Sequence, residues 1–205
     1  MVELGRVGKP EVAAFAGKKK LYCIRNVFST PDSPEEYRDL VDRYWEEVTQ
    51  QLEKLEIAGK TRKIFYESIY IQGEEALQLL DETNPPAARI VRKRMEEGAV
   101  FFPLEKEEIF GPYLDWGRCL GVVATQEVFD QVRGFYTEYE NRRFEHIMQV
   151  ILDNLAEGEA GLLIMRDEDR MKLQFPSEIE VFLVTPPPYD NLVRWLRERM
   201  QELNV

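Results

Sequence analysis

The residues able to do chemistry sit in short clusters behind apolar runs. Arg25, Asn26, Ser29 and Thr30 follow the run ending near 28, and Tyr70, Gln72, Glu74 and Glu75 follow the one ending near 71. Glu105, Lys106, Glu107 and Glu108 come after 99–104. The densest cluster, Arg166-Asp167-Glu168-Asp169-Arg170, comes after 160–165. Carboxylates gathered at strand ends suit two tasks, holding a hard divalent cation on oxygen ligands or moving protons. Asp167, Glu168 and Asp169 are the candidate cation ligands, so a divalent cation is the cofactor this pattern would call for. The same clusters also fit the solvated loops of an acidic protein.

A second set lies on one long helical segment. Val128, Val132, Phe135, Tyr136 and Tyr139 form an apolar stripe, and Phe144, Ile147, Met148, Ile151, Leu152 and Leu155 form another. The two are rotated by roughly 120° at about 100° per residue. Extending the first stripe lands on Arg143 and His146. Either the helix breaks near 140–142 and both face water, or they line a polar pocket. In a pocket Arg143 could clamp an anion, with Arg25 as a second cationic contact. His146 would be the only imidazole for proton transfer near neutral pH. A buried guanidinium needs a carboxylate. The 166–170 loop is the nearest supplier, which places Arg143 and Asp169 within reach of one another.

Other chemistry finds little footing. The chain has no Walker loop, no GxGxxG behind a strand and no GxSxG elbow. Two cysteines and one histidine leave no disulfide framework and no zinc site of the CxxC or His-pair kind. Cys23 falls inside an apolar run and reads as core; Cys119 follows an irregular stretch and is the better thiol candidate.

Composition narrows the class. In 205 residues the chain carries 44% hydrophobic and 32% charged side chains, with a formal net charge of −11. That balance supports a folded core and repels nucleic-acid backbones and anionic membrane. No apolar run approaches the roughly 20 residues of a membrane span, and no secretory h-region opens the sequence. A soluble, cytoplasmic protein is expected, with a small molecule or another protein as its partner and oligomers allowed.

The elements that would position these clusters alternate. Strands are expected over 21–28, 64–71, 99–104, 160–165 and 179–185, several of them apolar at nearly every position, as in strands covered on both faces. Ser33-Pro34-Glu35-Glu36 has the form of a capping box opening a helix over 34–57. Asn84-Pro85-Pro86 caps another helix, running to Glu97, and a last one spans 189–203. Gly111-Pro112 and Gly117 argue for an irregular stretch over 105–119. The expected fold is a single-domain α/β sandwich over 21–205, with a mostly parallel sheet of five or slightly more strands and helices on both faces. Residues 1–20 read as a loosely ordered arm.

From Arg143 to Val184 the chain runs R-F-E-H-I, then L-A-E-G-E-A-G-L-L-I-M-R-D-E-D-R, then I-E-V-F-L-V. This resembles the C-terminal part of the TraB and erythromycin-esterase-like group, and small uncharacterised bacterial α/β proteins similar to it. In that group an arginine starts a helix and an apolar strand ends in glycine–x–x–histidine. Here Arg143 matches the arginine and Leu162 to Met165 the strand, while Arg166 stands for the glycine and Asp169 for the histidine. The resemblance implies the α/β fold, and hydrolase chemistry only where that histidine is present. The expectation is therefore a non-catalytic or degenerate binding or interaction protein. The alternative is a hydrolase-like or metal-assisted enzyme acting on a small molecule at the carboxyl ends of the strands.

Overall fold

The computed structural model describes residues 17–203. Five strands, β1 (Lys19–Arg25), β2 (Thr61–Tyr66), β3 (Val100–Pro103), β4 (Ala160–Met165) and β5 (Ile179–Val184), form one sheet. Their order is β3-β2-β4-β1-β5 and every pairing is parallel. The helices are α1 (Glu35–Leu55), α2 (Gly73–Thr83), α3 (Pro85–Glu96), α4 (Glu107–Leu120), α5 (Gln126–Asn154), the single turn α6 (Asp167–Arg170) and α7 (Pro188–Leu203).

The strands read as nearly continuous apolar runs because both faces are covered. Tyr22, Ile24, Ile64, Leu162 and Ile164 pack under α1, α2, α3 and α7. Leu21, Cys23, Phe65, Leu163 and Met165 point the other way, onto Ile147 and Ile151 of α5. Gly161 of β4 faces this second layer, where a Cβ would stand 3.0 Å from the Phe65 ring, 3.2 Å from Leu21 and 3.3 Å from Leu155 just past α5, so these side chains close over a glycine. Steps from β1 to β2 and on to β3 travel one way across the first face. Steps from β3 to β4 and on to β5 travel back across the second, as right-handed crossovers require.

Several boundaries differ from expectation, each for a local reason. Lys19 and Lys20 belong to β1 and Lys18 pairs with Glu180, so the basic run is part of the sheet. The rest of the expected arm, 1–16, lies outside the described residues. β2 stops at Tyr66, because Ser68 takes a positive φ of 61° and gives its N–H to Glu105 (3.0 Å). The stretch after β3 is helical despite Pro112. Gly117 lets the Tyr136 ring come within 3.4 Å of where a Cβ would be, and Tyr113 stacks on Tyr136 and Trp116 on Phe135. Packing on α5 thus overrides weak propensity. α5 is one unbroken helix through 140–142.

The capping box does not form. Pro34 occupies the cap position, and the Ser33 hydroxyl turns back to accept the Thr30 N–H (3.0 Å). Glu36, which would have returned a bond, accepts instead from the Trp195 indole on α7 (3.0 Å). Asn84 does cap α3, accepting from the Ala87 N–H. Among the described residues no helix is long and apolar enough to cross a membrane.

Candidate functional site

The chain leaves β1 toward α1 on one face and leaves the adjacent β4 toward the opposite face. Such a switch point opens a crevice beyond the carboxyl ends of the strands. Two polar groupings occupy this edge, and they are built differently.

The first is centred on Arg143. Its side chain is 1% exposed, on the face of α5 turned to the sheet edge. Nε donates to both oxygens of Glu105 (3.1 and 2.9 Å), Nη2 donates to Glu105 Oε1 (2.6 Å) and Nη1 to Asp169 Oδ2 (2.7 Å). Phe110, Tyr113 and Phe144 surround the guanidinium at 5.0–5.5 Å. Burial works against the charged Arg143, but the two carboxylates outweigh it and hold its pKa above the ordinary value. Burial also works against the Asp169 anion, and the Arg143 bond and charge still keep that carboxyl below the usual range. Arg166 adds a third cation–anion contact, Nη2 to Asp169 Oδ2 at 2.9 Å. The expected Arg143–Asp169 pair is present, yet its stronger partner is Glu105.

The second grouping surrounds Glu67, just past β2 and 1% exposed. Its Oε1 accepts from the Arg166 backbone N–H (2.7 Å) and from Asn26 Nδ2 (3.0 Å). Its Oε2 is buried with no hydrogen-bond donor, the nearest cation being Arg166 Nε at 3.7 Å. Asn26 Oδ1 accepts from Tyr66 Oη (3.0 Å) and Asn84 Nδ2 (2.9 Å), and Asn84 Nδ2 also reaches the Val27 carbonyl (3.0 Å). Desolvation dominates Glu67; Arg166 and Asn26 offset it only in part, and the carboxyl is pushed up to about 7. Over this floor stands a cavity of about 390 Å³, with Phe28, Ile69, Leu79, Phe110 and Leu114 as apolar walls and Arg166 at the rim. That volume falls toward the small end of the about 300–1,000 Å³ typical of ligand pockets. A wider hollow of about 760 Å³ along α5 is more open, and its Lys172 and Glu140 satisfy each other.

The residues singled out from sequence therefore divide. Arg143 and Asp169 meet, but inside the closed network and not on the cavity wall, so Arg143 is no free anion clamp. Arg25 and Asp167 form a separate pair at 3.2 Å toward β5, where Asp167 also accepts from Arg170 and Arg25 stacks 4.2 Å from the Tyr189 ring centroid. His146 is half-buried on α5; burial, reinforced by Lys106, pulls its pKa down. It belongs to neither grouping. Of the three candidate cation ligands, Asp167 and Asp169 pair with different arginines and Glu168 is exposed. Among the described residues no three His, Cys, Asp or Glu side chains could hold a metal ion together. Glu67 was missed, although a single carboxylate inside Ile64 to Ile71 (IFYESIYI) was the available signal.

Fold and site define an all-parallel α/β protein whose cavity, at the switch point of the sheet, is floored by one incompletely satisfied carboxyl group. Compared with family models, curated proteins and solved structures, the chain gives no match.

Proposed function

We propose that this chain is a small-molecule-binding protein whose ligand sits in the switch-point cavity and donates a hydrogen bond to Glu67. The observation that carries this reading is the Oε2 atom of Glu67, buried and without a donor. An unsatisfied acceptor of that kind costs about 1–3 kcal/mol, which a ligand N–H or O–H would recover. The half-exposed Phe28 and the partly exposed Leu114 at the mouth are apolar surface that an occupant would cover.

A catalytic version has one observation in its favour. A carboxyl near 7 can both accept and return a proton at neutral pH, so a bound substrate could be activated by Glu67 as general base. Binding comes first in either case. A thermal-shift screen of small polar-headed apolar compounds tests it: a ligand at ~100 times its dissociation constant should add about 2.7 kcal/mol of stability. Leu114→Trp, which fills the cavity from the rim, should abolish that shift. A hit that survives Leu114→Trp would place the ligand elsewhere and overturn the reading.

A further inference from the structure

We propose that the ligand is a small primary amine, an apolar body carrying one protonated nitrogen that pairs with Glu67 Oε2; this rests on the cavity being the binding site. The first ground is charge. Glu67, Arg166, Asp169, Arg143 and Glu105 form one connected buried-to-rim network, joined by contacts of 3.7, 2.9, 2.7 and 2.6 Å. With Glu67 ionised it holds three carboxylates and two guanidiniums, one positive charge short of balance, a charge that a proton on Glu67 or a bound ammonium would supply. The buried oxygen without a donor belongs to Glu67, a residue of the cavity floor, which gives the missing cation a place to sit.

The second ground is that the donors of the cavity floor are already used within the fold. The Asn26 amide donates to Glu67, and that of Asn84 to Asn26, Val27 and the Tyr66 hydroxyl. The Ser68 N–H is given to Glu105 and the Arg166 N–H to Glu67. Arg166, at the rim, gives Nη2 to Asp169 and keeps its remaining N–H groups. A carboxylate or phosphate reaching the floor would meet the Glu67 charge and no free donor there. A neutral alcohol would satisfy Oε2 but leave the charge deficit. An ammonium does both, while Phe28, Ile69, Leu79, Phe110 and Leu114 receive its hydrocarbon.

The groups facing Glu67 also fix how binding responds to pH. Arg166 and Asp169 face it from the end of β4 and from α6, and Tyr66 from β2; β1 and α3 present the uncharged Asn26 and Asn84. Tyr66 is held above its ordinary value by burial and stays neutral. Glu67 is thus the group that titrates between pH 5.5 and 8, and burial places it at about 7. An amine should bind more tightly as pH rises through that range.

The test is calorimetric titration of the intact chain with three matched probes: phenethylamine, 2-phenylethanol and 3-phenylpropionate. The expected result is that the amine binds about tenfold or more tightly than the alcohol, with no measurable binding of the acid. Amine affinity should rise about thirtyfold from pH 5.5 to 8 and alcohol affinity should not. Glu67→Gln should bring the amine down to the alcohol's level. Should Glu67→Gln fold poorly, the pH comparison on the unaltered chain carries the same information. Alcohol or acid binding as tightly as the amine overturns the amine assignment while leaving the cavity as the site. Failure of all three probes overturns the cavity itself, and the amine with it.

Discussion

Two polar groupings share one sheet edge, and they differ in whether their hydrogen bonds close. Around Arg143 the guanidinium meets Glu105 on two nitrogens and Asp169 on a third, with aromatic rings on its faces. Around Glu67 one carboxylate oxygen is matched twice and the other not at all. The sequence makes Arg143 look like the functional residue, since it is a charge on an apolar stripe. The structure shows how such a charge is made structural, by consuming its donors within the fold. A buried polar group with capacity left over is the better pointer to a ligand than a buried charge as such.

The largest effect is expected at Arg143. Arg143→Ala strands Glu105 and Asp169 in the interior and should cost about 3–5 kcal/mol, read as a lower urea midpoint. A change below about 1 kcal/mol would mean that the network is not holding the edge together.

Glu67 should show the opposite signature with pH. Its folded pKa, about 7, lies above the ordinary 4.5, so the native state holds this proton more tightly than the unfolded chain. The linked stability is present below 4.5 and is lost as pH rises toward 7, by on the order of 3 kcal/mol. Asp169, held below 3.8, acts in reverse: its contribution is present above that value and lost as pH falls through its folded pKa. His146, pulled below 6.5, also loses stability as pH falls from there, and partly masks Glu67. Denaturation of Glu67→Gln beside the parent from pH 4.5 to 8 isolates the carboxyl. The difference between the two should grow with pH, in favour of Glu67→Gln.

Asn84 sharpens the contrast, because it both caps α3 and holds Asn26 beneath Glu67. Asn84→Ala should cost about 0.5–2 kcal/mol through the cap alone, and somewhat more with the lost side-chain bonds. The smallest effect belongs to Ser33→Ala. With the hydroxyl closing only the exposed turn to Thr30, its cost should stay within about 0.5 kcal/mol. A loss of 1 kcal/mol or more would restore the capping box.

The sheet was legible because strands covered on both faces leave long apolar runs, and those at Leu21, Ile64, Ala160 and Ile179 correspond to real strands. Helix α4 was not, since Gly111, Pro112 and Gly117 signal a break unless the rings of α5 that receive them are known. Arg143 was legible through helical phase, but Glu105 was not assigned as its partner because the pair spans 38 positions and joins different elements. The capping box failed for a similar reason: Trp195, which takes Glu36, lies 159 residues away. Glu67 was hidden inside an apparent strand, and only the left-handed turn at Ser68 reveals that the strand ends beside it. Long-range partners and single-residue turns are the two kinds of information that local periodicity does not carry.

Titration of individual side-chain carboxyl carbons by ¹³C NMR on the unliganded protein separates a closed network from an open carboxyl beside it. Glu67 should show its midpoint at about 7 and Asp169 should fall below the ordinary aspartate value. A Glu67 midpoint near 4.5 would mean that its second oxygen is solvated or paired, and the carboxyl would then not be open to a ligand.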